Sequence, residues 1–299
     1  MLGAAIGDAL GKQNEGQTRE DILKRGYVRD YGKAQAGCPG EKLRASQYTD
    51  DTEQMLVLAQ SLIRCEGFNG LDFATAIAKW GEDAMSDPAR KSLVGPSSSK
   101  AIARLNAGIS WKESGSDIPS CGSAMRAAPI GLFYDDLLEV EENAALSSIP
   151  THRSNAARAG AVAVAVGVRC ATNGMGCSDL VKETIARASK YDMELGRRIG
   201  LSCRLRTEEP GKAFARLGTS YLVYETVSSA FYCFLRHFES PENAVIEAVN
   251  AGGDTDSIAC ITGTLSGALH GIRCFPEKWI QGLENKENIE ELAYMIFKT

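Results

Sequence analysis

Hydrophobic positions along this chain recur at the three-and-four spacing of amphipathic helices far more often than in strict alternation. The run TEQMLVLAQSLIRCEG, beginning at Thr52, sets Met55, Leu58, Ala59, Leu62 and Ile63 on one helical face. Asp50 and Asp51 precede it and Glu53 falls in its first turn, an acidic start that complements a helix N-terminus. Comparable patterns predict helices over 72–84, 98–106, 135–146, 154–171, 178–189, 220–238, 241–251, 257–271 and 276–283. The alternation AVAVAVGV at 161–168 has the period of a strand. A buried helix is the preferred reading, because the small residues follow a Ser154 cap without any turn signal. The expected class is therefore all-α. Residues 38–47 and 204–218 are polar, yet neither is a low-complexity spacer, and no repeat of fixed period occurs. One domain over 1–299 is expected.

Composition narrows the partners. Hydrophobic residues make up 44% and charged residues 24% of 299, enough to bury a core without staples. Lys and Arg total 33 against 38 Asp and Glu, a net charge of −5, which supplies no footprint for a phosphate backbone. Nucleic acid is excluded as the main partner. Nine cysteines, an odd number without a CxxC pair, speak against a disulfide framework or a zinc ribbon. His152, His237 and His270 form no HExxH. No signal-peptide pattern opens the chain, and the apolar run 159–168, flanked by Arg158 and Arg169, is too short to span a bilayer. A reducing, soluble, cytoplasmic setting without membrane attachment is expected.

Four segments carry candidate chemistry. Tyr48-Thr49-Asp50-Asp51-Thr52 places adjacent carboxylates between hydroxyls at a helix start. Asn250-Ala251-Gly252-Gly253-Asp254-Thr255-Asp256-Ser257 repeats that grammar two hundred residues later, with glycines that let the chain turn. Hard divalent cations take about six oxygen ligands, so the two clusters together could hold a pair of ions; singly, each is better read as a set of helix caps. Ser120-Cys121-Gly122-Ser123, within SCGSAMRAAP, could form an anion nest for a diphosphate or a tight packing turn. Gly3, Gly7 and Gly11, followed by Glu15, read by themselves as close helix–helix packing.

In order and wording these segments resemble the ADP-ribosylglycohydrolase family, which includes dinitrogenase reductase-activating glycohydrolases and J1-type crystallins. The matching motifs are GDALG then Glu15, TDDT at 49–52, GSAMRAAPIGL at 122–132, Thr151-His152 and GGDTDS at 252–257. The resemblance implies a compact helical domain with two Mg²⁺ or Mn²⁺ ions at the bottom of a cleft. It implies Thr49, Asp50 and Asp51 as one ligand set and Asp254, Asp256 and Ser257 as the other. Glu15 matches a mobile acidic residue near the metals. Ser120, Cys121, Gly122 and Ser123 match the diphosphate loop, His152 lines the same site, and 95–99 resemble a rim segment. Ser257 stands where Thr is usual and Cys121 where Asn is common, while Leu222 replaces a frequent aromatic.

The implied reaction is hydrolysis of the glycosidic bond between ADP-ribose and a protein side chain or small acceptor, releasing ADP-ribose. Such cleavage passes through an oxocarbenium-like centre, and a carboxylate in reach of the attacking water would take its proton. Asp51 and Glu15 are the candidates for that role. Without cations the clustered carboxylates repel one another, so partial disorder or perturbed pKa values are expected. Arg126 is read as structural, His237 and His270 as uninvolved, and Tyr221, Tyr224, Phe231 and Phe234 as a helical core stripe. Alternatives are cleavage of another nucleotide-like ADP-ribosyl compound, or a non-catalytic ADP-ribose-binding or crystallin-like structural protein.

Overall fold

The computed structural model describes residues 1–298, and among these every extended element is a helix. The N-terminal third contains α1 (Leu2–Gly11), α2 (Arg19–Arg25), α3 (Asp50–Cys65), α4 (Gly70–Ser86) and α5 (Pro96–Asn106). The middle contains α6 (Trp111–Ser114), α7 (Ala128–Phe133), α8 (Leu137–Ser148), α9 (Asn155–Thr172), α10 (Cys177–Ala188) and α11 (Met193–Leu205). The remainder contains α12 (Pro210–Leu217), α13 (Val223–Arg236), α14 (Pro241–Val249) and α15 (Thr255–His270), a short 3₁₀ turn (Ile272–Cys274), then α16 (Glu277–Gly282) and α17 (Lys286–Lys298). Isolated bridges pair Ser116 with His152 and Ser120 with Leu222.

Helix α9 resolves the ambiguity of AVAVAVGV. Ser154 caps it by accepting the Ala157 N–H, and Ala161 through Val168 are all buried. A helix apolar on every side belongs in a core, and here packing outweighs the modest helix propensity of valine. Around it pack α7, α8, α10, α13 and α15. Glycines at the contacts let backbones approach: a Cβ at Gly167 would stand 2.8 Å from Leu265. Among the described residues no helix is long and apolar enough to cross a membrane.

The α1–α15 pair positions the site. Gly3, Gly7 and Gly11 face Gly263, Ala259 and Thr255 in turn, so the two helices run antiparallel in direct backbone contact. A Cβ on Gly7 would fall 2.5 Å from the Ala259 carbonyl carbon and closer still to its oxygen. The C-terminal end of α1, leading to Glu15, is thereby pressed against the start of α15 at Asp256.

Several helices lie outside the expected set: α1, α2, α6, α7, α11, α12 and α17. Segment 204–218, expected as polar connection, holds the end of α11 and all of α12. The expected helices occur, with ends moved by at most three residues; 220–238, for example, is helical over Val223–Arg236.

Candidate active site

Two loop-to-helix junctions and one helix end converge on a cavity of about 530 Å³. Its walls include Glu15, Asp50, Asp51, Asp254, Asp256 and Ser257, with Ser120, Cys121, Gly122 and His152 on another side and Gly95 to Ser98 along a third. Segments more than two hundred residues apart in sequence thus meet in one cleft.

The cap reading of the carboxylates fails on geometry. Thr49 is the cap of α3, its hydroxyl accepting the Asp51 N–H at 3.3 Å, while Asp50 and Asp51 lie within the first turn. Asp254 occupies the cap position of α15 but makes no side-chain cap bond. Its Oδ2 instead accepts from Thr226 Oγ1 at 2.8 Å and Cys121 Sγ at 3.2 Å. Gly252 and Gly253, both at positive φ, turn the chain into this junction, and the Asp254 N–H is held by the Thr219 carbonyl at 2.7 Å.

Asp8 escaped sequence reasoning although it stands inside GDALG. Fully buried on α1, it accepts the Thr49 N–H on both oxygens at 3.0 Å, the Thr52 N–H at 3.0 Å and the Thr52 hydroxyl at 2.6 Å. It therefore ties the start of α3 to α1. Thr49, turned toward this bond set, stands behind the cavity wall rather than on it.

Burial dominates the electrostatics. It lifts Glu15 from 4.5 to about 8, with the negative charges of Asp254 and Asp8 adding to the rise. Burial raises Asp8 to about 6 against the hydrogen bonds that favour its ionised form. Asp50, Asp51 and Asp256 are pushed well above the usual carboxylate range by burial and then by one another's charge. Asp254 is raised by burial despite its hydrogen bonds.

Three buried oxygens nevertheless have no hydrogen-bond partner: Glu15 Oε2, Asp51 Oδ2 and Asp256 Oδ1. Unpaired buried carboxylate oxygen is costly, and three from different segments on one cavity form an oxygen-only donor set of the kind hard divalent cations take. Among the described residues no group of three or more His, Cys, Asp or Glu side chains is gathered into an ion cage by itself. Hydroxyls such as Ser257, main-chain oxygens and water would complete any coordination shell.

The nest differs in detail from expectation. The Ser120 N–H bonds the Ile118 carbonyl at 2.9 Å and the Cys121 N–H bonds the Tyr221 carbonyl at 3.0 Å. That leaves the Gly122 and Ser123 N–H groups as its available donors. The Ser123 hydroxyl points away, donating to the Ala157 carbonyl at 3.1 Å. Gly122 is required by the imidazole of His152, since a Cβ there would come 2.6 Å from Cε1. His152 itself is neutral, burial and then the Arg126 charge lowering its pKa to about 3. Cys121 is no nucleophile, because burial and the Asp254 and Asp51 charges push its thiol up.

Tyr221 corrects the expected core stripe. It is 59% exposed and stands on the cavity rim, whereas Phe231 and Phe234 are buried in the core. The reason is that α13 begins only at Val223, so Tyr221 lies on the preceding loop. Tyr224 is half-buried and donates its hydroxyl to Asp192. His237 pairs with Glu247 at 3.8 Å and His270 bonds the Phe238 carbonyl, both away from the cavity. All nine cysteines are free.

The whole chain, residues 1–299, matches the model of the ADP-ribosylglycohydrolase family. It is 39% identical over 300 residues to an uncharacterized protein of Archaeoglobus fulgidus, covering 100% of this chain and 94% of that one. It is 28% identical over 341 residues to ADP-ribosylhydrolase ARH3 of Homo sapiens, covering 100% and 92%. With ADP-ribosylarginine hydrolase Tri1 of Pseudomonas putida the identity is 28% over 306 residues, covering 99% and 76%. A solved ADP-ribosylglycohydrolase-related protein complex superposes at a TM-score of 0.82 and 26% identity, over 99% of this chain and 95% of that one. This chain belongs to the ADP-ribosylglycohydrolase family.

Proposed function

We propose that this protein is a divalent-cation-dependent hydrolase that cleaves the glycosidic bond between ADP-ribose and a modified side chain or small acceptor. The observation that carries this reading is the trio of buried, unpartnered oxygens of Glu15, Asp51 and Asp256 facing one cavity. Asp50 and Asp51 from one junction, and Asp254, Asp256 and Ser257 from the other, would hold two ions, Mg²⁺ or Mn²⁺, with Thr49 fixing Asp51 from behind by accepting its N–H. Bound there, they would supply charge neutralisation and Lewis-acid polarisation of ribose hydroxyls and water.

The chain's own residues supply the rest. Gly122 and Ser123 offer backbone N–H groups to the diphosphate, and Ser120, Cys121 and His152 shape that end of the cavity. The buried carboxylates create the negative potential that favours an oxocarbenium-like centre at the anomeric carbon. Asp51 or Glu15, once ionised, takes the proton of the attacking water. The half-exposed Tyr221 bounds the mouth, where the target enters. Names of two relatives, an ADP-ribosylhydrolase and an ADP-ribosylarginine hydrolase, support the bond class. The test is release of ADP-ribose from ADP-ribosylated arginine and serine substrates, with Mg²⁺, with Mn²⁺ and with chelator. Release that needs a cation is expected; release from neither substrate, with ADP-ribose still bound, would leave only a binding role.

A further inference from the structure

Arg126 is among the largest fully buried side chains, and the proposed chemistry leaves it without a task. It lies over the Phe73 ring, 5.1 Å from the centroid, with its Nε unpartnered. Its Nη1 donates to Gln54 Oε1 at 2.6 Å, and its Nη2 donates to Thr151 Oγ1 at 2.7 Å and to the Ser147 carbonyl at 3.2 Å. A guanidinium has no acceptor, so Gln54 Oε1 and Thr151 Oγ1 both accept from it.

On one branch, Gln54 must turn its oxygen to Arg126, so its amide nitrogen faces outward and donates to Asp50 Oδ2 at 2.8 Å. On the other, one lone pair of Thr151 Oγ1 is taken by Arg126. Among the described residues the hydroxyl proton has no other acceptor within hydrogen-bond reach, which gives it to His152 Nδ1 at 2.8 Å. An Nδ1 that accepts carries no proton, so a neutral imidazole must carry it on Nε2. That nitrogen lies on the cavity side, against Gly122, where an added Cβ would come within 2.8 Å of it.

We propose that Arg126 is a positioning residue which, through Thr151, locks His152 as the Nε2–H tautomer, a fixed hydrogen-bond donor to an anionic oxygen of the ligand, and through Gln54 aims Asp50. His152 thus binds as a neutral donor and does not shuttle protons. The same buried cation orients the diphosphate end and one acidic junction, so both ends of the cavity share one internal reference. The ligand rests on the function proposed above; the tautomer does not.

The test uses the whole chain labelled with ¹⁵N-histidine. Three histidines make the long-range ¹H–¹⁵N spectrum simple, and His152→Asn assigns the signal. The expected result is an unprotonated Nδ1 and a protonated Nε2 in the ligand-free protein. Thr151→Val, which keeps shape and removes the hydroxyl, should give a mixture of tautomers and raise the ADP-ribose Kd about tenfold. Thr151→Ser should restore both. A protonated Nδ1 in wild type, or a tautomer unmoved by Thr151→Val, overturns the lock. If the tautomer is as stated and ADP-ribose does not bind wild type, the ligand assignment falls together with the proposed function, and the relay alone stands.

Discussion

Replacing Gly7 by Ala sets two effects of known size against each other. In a helix interior, Gly→Ala favours folding by about 1 kcal/mol, because glycine gives up more backbone freedom. At Gly7, however, the new Cβ would stand 2.5 Å from the Ala259 carbonyl carbon and 2.9 Å from the Cys260 nitrogen. Both are backbone atoms of α15, so no side chain can swing aside; the helices must separate. Overpacking of this kind costs about 1–3 kcal/mol and more where the backbone cannot yield. Contact from Gly3 to Gly11 is continuous, so separation at Gly7 also loosens its neighbours. The expected net loss is about 2 kcal/mol or more, a fall in Tm of several degrees for a chain of this size. Gly200 is the internal control: it lies within α11, and its nearest would-be neighbours are at 3.5 Å and 3.6 Å. Gly200→Ala should therefore raise Tm slightly. Differential scanning calorimetry on both variants reads the comparison. A Gly7→Ala variant as stable as wild type, or more so, would refute the claim that backbone contact between α1 and α15 sets the site.

Further outcomes follow from the charge and loop geometry. In chelator, folded Glu15 keeps its proton to about pH 8 and Asp8 to about pH 6, while the unfolded chain releases them near pH 4.5 and 3.8. The folded state binds more protons in that window, so the stability they contribute is complete below it and is lost as pH rises, at about 1.4 kcal/mol per pH unit per proton. Tm should fall from about pH 5 to about pH 8 with a shallower slope in Glu15→Gln, and the gain from Mn²⁺ should be larger at the higher pH; a wild-type slope unchanged by Glu15→Gln would contradict this. Asp256→Asn should lower turnover by orders of magnitude with a much smaller change in the ADP-ribose Kd, as for an interaction used mainly in the transition state; near-normal turnover would sink the cation-centred reading. Gly122→Val should do the reverse, weakening ADP-ribose binding about tenfold or more by displacing His152, which calorimetry would register.

Much of this was legible in the sequence because both fold and site are written in local grammar. The helical period is explicit in TEQMLVLAQSLIRC, and the acidic pairs announce themselves by position at helix starts. What was not legible depended on tertiary contact. Leu2–Gly11 is a poor helix by propensity and exists because Gly3, Gly7 and Gly11 fit against α15. In α11, Leu195, Ile199, Ser202 and Leu205 do form a buried stripe, but two glycines and several arginines dilute it. Asp8 looked like part of a glycine motif; its task is visible only once Thr49 and Thr52 fold onto it. Tyr221 was misplaced because its spacing to Tyr224 continues the period of α13 past the helix start, which only the loop geometry ends. Arg126 read as structural from sequence, and its two-way hydrogen bonding required the fold.

The measurement that bears most directly on the central claim is anomalous diffraction from crystals of the full chain grown with Mn²⁺. Two peaks are expected inside the cavity, one against the Asp50–Asp51 junction and one against Asp254 and Asp256, with the oxygens of Asp51 and Asp256 that lack partners now ligating. Crystals of Asp256→Asn should lose at least one. An empty cavity at saturating Mn²⁺, or peaks confined to surface carboxylates, would contradict the assignment of these two acidic junctions as a cation site.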